Sequence, residues 1–516
     1  MIRTRRDLLR SGAGGLAALA MPGATSWAAN PKLRDDPFTL GVASGFPTSR
    51  SIALWTRLAP QPDAPGGGLG NAVIPVTWIV AEDERFRRIV ATGTEYATPD
   101  WAHSIHAEPW SLEPAREYWY RFEAAGHRSP KGRFRTAPAP ASQTASLSAA
   151  VVCCQHYEHG HYAAYRHIAG NTPDVVLHLG DYIYESNPAA SPVRALGLAE
   201  AYTLDDYRRR YAAYKRDASL QAAHAAAAWL LVWDDHEVDN DYAGEYTEDG
   251  QDPEYFLARR AAAYRAYYEH MPLPRRAVPY GSLMRMYAQH AYGDLAAFSL
   301  LDQRQFRSRE ACATPWRGGG RVLTDCAEID APERTMLGAT QEGWLAAQFG
   351  ASAQRWNFIA QGTVMADVDQ KPGPGRGVWT DGWTGYPAAR RRLMESIGTT
   401  RLANPVVLSG DLHAFGVAEL RADPRDPATP LVAPEFVTTS ISSTSLAQPL
   451  LDSWVKESPE LAMLDGRERG YVRLDITPAR LDVAHVAVRD VRDPRSPVAV
   501  TRRYGVEAGS PRVHTA

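Results

Sequence analysis

The sequence predicts a small all-β domain followed by a larger, layered α/β domain, and three observations carry that prediction. Residues 38–136 hold short strand-like runs broken by Gly and Pro turns. From Ala145 onward apolar β-runs alternate with stretches of helical spacing, the pattern of layered strands and helices. Three short acidic patches, Gly180-Asp181-Tyr182-Ile183-Tyr184, Asp234-Asp235-His236-Glu237 and Gly410-Asp411-Leu412-His413, each follow an apolar run, at Val175–Leu179, Trp229–Trp233 and Val406–Leu408. That is how the C-terminal end of a buried strand reads where it opens into an active-site loop.

In chain order, Thr4-Arg5-Arg6-Asp7-Leu8-Leu9-Arg10 is a twin-arginine export pattern. A mildly apolar stretch, Ser11–Met21, follows, and small residues at Ser26, Ala28 and Ala29 offer a cleavage site. Residues 1–29 therefore read as a twin-arginine signal peptide, and they are set apart from the fold. The apolar stretch falls short of the roughly 20 residues a membrane span requires, so no transmembrane span is expected in the mature chain.

The first domain, 38–136, opens with Thr39–Gly45 and Ser51–Arg57 and continues through Pro75–Ala81 and Tyr118–Phe122. Leu112-Glu113-Pro114 ahead of Tyr118 is similar to the corner of fibronectin/Ig-like sandwiches, where a Tyr hydroxyl bonds nearby backbone. Thr136–Ser142, rich in Pro and Ala, reads as a linker. In the second domain, 145–505, Val193–Ala228 and Pro253–Met271 read as helical. Leu295–Leu301, Trp356–Gly362, Val406–Leu408 and Glu435–Thr438 read as strands. Tyr471–Ile476 and Leu481–Val488 read as antiparallel, forming an edge or a second sheet.

The charge balance, 56 basic against 59 acidic residues, excludes an electrostatic nucleic-acid or anionic-membrane binder. Four cysteines are too few for a disulfide scaffold. Cys312 and Cys326 flank Gly318-Gly319-Gly320, and in an exported protein they form either a disulfide or two free thiols.

Bare carboxylates at strand ends call for a cation or a solvent-filled cleft. Carboxylates select hard ions such as Ca²⁺, Mg²⁺ and Mn²⁺. A Tyr phenolate or Cys thiolate asks for a stronger Lewis acid, since the free groups titrate near about 10 and about 8.5. Asp181-x-x-Tyr184 lets one loop offer a bridging carboxylate and a phenolate; Asp411-x-His413 pairs a carboxylate with an imidazole. The economical reading is a mixed site, with Fe³⁺ on the Tyr/Cys/His side and a harder divalent ion on the all-oxygen side.

These residues also carry a family resemblance. Cys154-Gln155, Gly180 to Glu185, Trp233 to Asn240 and Ser409-Gly410-Asp411-Leu412-His413 strongly resemble PhoD-type alkaline phosphatases/phosphodiesterases. Leu301-Asp302-Gln303-Arg304-Gln305-Phe306-Arg307 and Gly41-Val42-Ala43-Ser44-Gly45-Phe46-Pro47 are similar to further segments of that family. The resemblance spans nearly the whole mature chain, and more distantly the loops are similar to purple acid phosphatases and other calcineurin-like phosphoesterases. It implies an α/β layered, metallophosphoesterase-like catalytic domain, with two mixed sheets flanked by helices, behind the small all-β sandwich. It further implies hydrolysis of phosphate esters by metal-activated water at a centre of Fe³⁺ and one or two Ca²⁺.

Carried over residue by residue, the resemblance makes Asp181 the bridging carboxylate, with Tyr184 and Cys154 on iron. Asp411 and His413 become ligands of the last loop. Asp235 and Asn240 match the middle loop that binds calcium and phosphate. Arg166 matches a phosphate-binding arginine, and His236 a histidine near the leaving group. Cys153 stands where the family more often has Ser; neighbours on a strand face opposite ways, so Cys154 is the expected ligand.

Plainer roles are expected elsewhere: a satisfied core His at His178, a solvated loop at His156, His159 and His161, packing at Tyr182, and an orienting carboxylate at Glu237. Gln361 is weighed as a neighbour of the second metal. Trp379–Trp383 reads equally as a lid or a packed loop. The expected partners are a small-molecule, lipid or polymer phosphate ester and the twin-arginine translocon, with a periplasmic or secreted location. The competing functions are a phospholipase D-type phosphodiesterase and a non-catalytic, metal-stabilised surface-binding protein.

Overall fold

A computed structural model describes residues 32–186, 189–314 and 318–516; the export pattern in 1–29 lies outside them. Two large mixed sheets form the body. In the first, Leu147–Val152, Val175–Leu179 and Ala228–Val232 run parallel side by side. These strands are entirely or almost entirely buried, and all three are Val-, Leu- and Ala-rich without alternation, as strands covered on both faces must be. In the second sheet, Ala296–Leu300, Trp356–Ala360, Pro405–Ser409 and Leu431–Val437 run parallel, with antiparallel strands at both ends.

The period of two in the second sheet sets the layers. Phe358, Val406, Leu408 and Phe436 join the large core shared with the first sheet. Their neighbours Ile359 and Val407 join a second core with Leu345, Phe349, Leu393 and Ile397 of the helices Gly338–Ala351 and Pro387–Thr400. On the first sheet, Trp229 carries Tyr165 of the helix Ala163–Asn171 and His224 of Ala218–Ala226, the latter stacked at 3.9 Å. Among the described residues no helix is long and apolar enough to cross a membrane.

Several expectations shift. The region 38–136 is not a free-standing sandwich: Val42–Gly45 pairs in parallel with Ala228–Val232, and Ala53–Arg57 and Ser104–Ala107 extend the same ten-stranded sheet. A separate sheet of Ile74–Ala81, Ile89–Ala97 and Glu117–Ala124 packs with these strands through Leu54, Val76, Tyr120 and Phe122. The Tyr118 hydroxyl accepts the Glu113 N–H at 2.9 Å, the expected corner. The Pro/Ala segment is docked, since Ala137 is buried and its N–H bonds the Thr48 carbonyl. The expected helix Val193–Ala228 is two, Leu204–Lys215 and Ala218–Ala226. They are split where Asp217 caps the second through the Ser219 and Leu220 N–H groups. Arg469–Ile476 and Arg480–Val488 are antiparallel, and they extend the first sheet beside Leu147–Val152.

A buried neutral histidine should make this fold acid-sensitive. His485 stacks on Phe415 at 4.3 Å, has no partner for either ring nitrogen among the described residues, and is pushed by burial down to about 3. Its folded value lies below the ordinary 6.5 or so, so the unfolded chain binds the extra proton first. The stability it protects is full above pH ~6.5 and is lost as pH falls toward about 3. At pH 5 that loss is about 2 kcal/mol. His485→Phe should therefore shrink the drop in urea midpoint between neutral and mildly acidic pH. An unchanged drop would show that His485 does not carry it.

Candidate metal centre

The parallel strands of both sheets end at the same rim, the usual place for a site in open α/β sheets. In the first sheet, Leu179 is level with Val232 and His178 with Val152, so Cys153-Cys154, Gly180-Asp181 and Trp233-Asp234-Asp235 leave side by side. In the second, Leu408 is level with Ala360 and Ser409 with Val437, which brings Gly410-Asp411 beside Gln361-Gly362 and Thr438.

Two groups of possible ligands result. Cys154, Asp181 and His413 form one; Asp181, Asp235 and His236 form the other. Within each group the ligand atoms lie within 4.8 Å of one another, and Asp181 belongs to both. The backbone is bent to achieve this: Cys154, Asp181, Asp411 and His413 all adopt positive φ, from 55° to 62°. Non-glycine residues rarely do so, and such conformations collect where a site imposes them. Gly180, at φ 111°, is required as glycine, since a Cβ there would sit 2.4 Å from the Asp234 Cβ.

Around the first group, the Tyr184 hydroxyl donates to Asp181 Oδ2 at 3.0 Å and lies 3.1 Å from His413 Nε2. It also meets Ser443 Oγ at 2.8 Å, while Ser443 donates to the Cys154 carbonyl. His413 Nδ1 is bonded to the Thr444 carbonyl at 2.7 Å, which leaves Nε2 for the cluster. Cys153 Sγ lies 3.8 Å from the carbonyls of Thr438 and Thr439 and also neighbours the Cys154 thiol.

Around the second group, His236 Nδ1 is held by Glu185 Oε2 at 2.7 Å. Burial opposes charge on His236, yet Glu185, Asp235 and Asp181 outweigh it and hold the imidazole well above its ordinary value. Glu237 accepts the N–H groups of Asp181, Tyr182 and Asp234, and so pins two loops together, the orienting role expected of it. Burial pushes Glu237 up to about 8.

Negative charge is in excess here. Burial, followed by repulsion from Asp235, Asp234 and Glu237, drives the Asp181 carboxyl well above its usual range; burial with Asp234 and Asp235 does the same to Asp411. Asp181 Oδ1, Asp234 Oδ2 and Asp235 Oδ1 are buried without a hydrogen-bond partner. Orphaned carboxylate oxygens converging with a thiol, a phenol and two imidazoles fit metal ions on both sides of Asp181.

Not every predicted residue arrives. Arg166 is a correction: it is exposed on the helix Ala163–Asn171, and its guanidinium donates to the Pro494 and Ser496 carbonyls at 3.0 and 2.9 Å. Helical geometry turns it outward while its neighbour Tyr165 faces the core. Asn240 is half-buried at the edge, its amide on Glu248 and its N–H on Glu185. Gln361 is engaged with Ser409 and Trp383. His156 is buried rather than solvated, stacked on His159 at 3.8 Å with Tyr184 at 4.5 Å. His178 and Tyr182 are buried and pack together; the expected satisfied core His holds only in part, since His178 Nδ1 accepts the Gly180 N–H while Nε2 has no hydrogen-bond partner among the described residues.

Residues that sequence reasoning passed over complete the site. Arg304, fully buried, pairs with Asp234, Asp235 and Asp381. Ser443, Glu185 and Arg469 are the others; Arg469 donates to the His413 carbonyl and Thr439 Oγ1. Of these, Arg304 stood in a quoted segment, whereas Ser443 lies in a Ser/Thr-rich run without any distinguishing signal. Cys312 and Cys326 are disulfide-bonded with their Cα atoms 6.3 Å apart.

The chain is similar to known proteins along most of its length. The PhoD-like phosphatase family matches residues 149–485, and its N-terminal domain matches 24–138. Alkaline phosphatase D of Bacillus subtilis (strain 168) is 42% identical over 515 residues, covering 97% of this chain and 87% of the relative. A solved structure of PhoD, 42% identical, superimposes with a TM-score of 0.89 over 94% of this chain and 93% of that one.

Proposed function

From the premise that this chain belongs to the PhoD-like phosphatase family and is an enzyme of that type, we propose that it is an exported, metal-dependent hydrolase of phosphate esters. The observation that supports the metal centre is the sharing of Asp181 between the two ligand groups. Iron fits the side with Cys154, Tyr184 and His413, where a thiolate and a phenolate would be ligands. Calcium fits the oxygen-rich side of Asp235, with Asp411 and Asp234 adjoining.

When bound, the ions supply activation of water and Lewis-acid stabilisation of the phosphoryl oxygens. The chain's own residues do the rest. Glu237 fixes the Asp181 and Asp234 loops by their N–H groups, which keeps the acceptor oxygens convergent. Glu185 fixes His236 through Nδ1, and in this reading the imidazole would hand a proton to the departing alcohol. No Ser or Thr nucleophile is required. The twin-arginine pattern supports passage through the twin-arginine translocon to the periplasm or beyond.

Tyr184→Phe should bleach or shift a visible charge-transfer band of the purified protein, Cys154→Ser should shift it, and Cys153→Ser should leave it in place. A spectrum untouched by the first two changes would remove iron from this side. Steady-state rates on p-nitrophenyl phosphate, its bis ester and phosphatidylcholine separate monoesterase, diesterase and phospholipase D-type activity; inactivity on all three would contradict the proposal.

A further inference from the structure

A cavity of about 510 Å³ opens directly beside Asp411 and His413. Its walls are mainly apolar, formed by Val364, Val368, Leu412, Leu446, Leu450 and Trp454, with Trp379 also at its lining. The size is that of a pocket for a small organic group, and such pockets carry a few placed polar atoms among apolar walls. Here the polar part of the lining comes from Thr363, Gln370, Thr384 and Thr444. Leu446 and Leu450, 43% and 39% exposed, leave apolar surface open to solvent.

We propose that this cavity is the subsite for the alcohol portion of the ester, and that it selects an aromatic alcohol. The inference deepens the phosphate-ester reading and rests on it. The support is continuity: Asp411 and His413 border both the Asp181 cluster and this chamber, so an organic group on a phosphoryl group held at the cluster would have the chamber beside it. Apolar walls favour a hydrophobic group, and two tryptophans favour a ring. A larger cavity, about 770 Å³, borders Arg390, Arg391 and Met394 and is lined by none of the ligand residues.

The test uses the metal-loaded enzyme with two substrates, 2-naphthyl phosphate and glycerol 3-phosphate. The wild type should show the higher kcat/KM for the naphthyl ester. Leu446→Asp and Leu450→Asp lie at exposed positions and spare the fold; each should raise KM for the naphthyl ester about tenfold and change glycerol phosphate turnover less than about twofold. Equal effects on both substrates, or none, would overturn the subsite while leaving the hydrolase reading intact. Absence of turnover on every ester would instead fault the hydrolase reading. Calorimetric binding of the non-hydrolysable 2-naphthylmethylphosphonate, weakened by Leu450→Asp, checks the subsite without catalysis; unaltered binding would count against it.

Discussion

Asp181→Asn is expected to lower phosphate-ester hydrolysis by about 10³-fold or more, since several kcal/mol of Lewis-acid stabilisation would be lost at about 1.4 kcal/mol per factor of ten. The reason is position. Asp181 is the residue common to both ligand groups, and one of its oxygens is buried without a partner. Asn keeps the shape and removes the charge. The same change has a second signature. In chelated protein the Asp181 charge is buried among Asp234, Asp235 and Glu237, whose repulsion follows burial in disfavouring it. Removing that charge should make the metal-free protein more resistant to urea, while the metal-loaded protein becomes less so. A purely structural Asp181 would weaken both forms alike.

The second large effect is on stability. Arg304 has a fully buried side chain and pairs with Asp234, Asp235 and Asp381. Burial opposes its charge, but the three carboxylates hold the guanidinium well above its ordinary value. Arg304→Met leaves these acids without their shared cation, and losing one partner of a buried ion pair costs about 3–5 kcal/mol. The loss should appear as a lower urea midpoint with an unchanged slope. Asp381→Asn in the Arg304→Met background should recover part of it, because Arg307 still meets residue 381 through its backbone carbonyl. Additive losses in the double variant would mean that Arg304 acts through packing and not through charge.

Much of this site was legible because its chemistry is local in sequence. An apolar strand followed by Asp, His or Tyr within a few residues is visible along the chain, and Asp181, Tyr184, Asp235, His236 and His413 all lie in such loops. Strand alternation does not apply to Cys153 and Cys154, because the strand ends at Val152 and Cys154 lies in a turn with φ 55°. What could not be read is what arrives from afar. Arg304 reaches Asp234 across 70 positions, and Ser443 reaches Tyr184 across 259. Arg166 shows the opposite error, since a matching local context did not reveal that its helix turns it toward the Pro494–Ser496 carbonyls. The boundary at Thr136–Ser142 is real as a change of composition. Even so, the sheet runs through both regions, because an open edge at Ala228–Val232 is covered by pairing with Val42–Gly45.

The most direct test of the account is elemental analysis of the purified wild-type enzyme titrated against its p-nitrophenyl phosphate turnover during chelation and reloading. The account predicts iron and calcium in the active protein, turnover that falls as they are removed, and recovery only when both are restored. Full turnover in protein free of bound metal would contradict it.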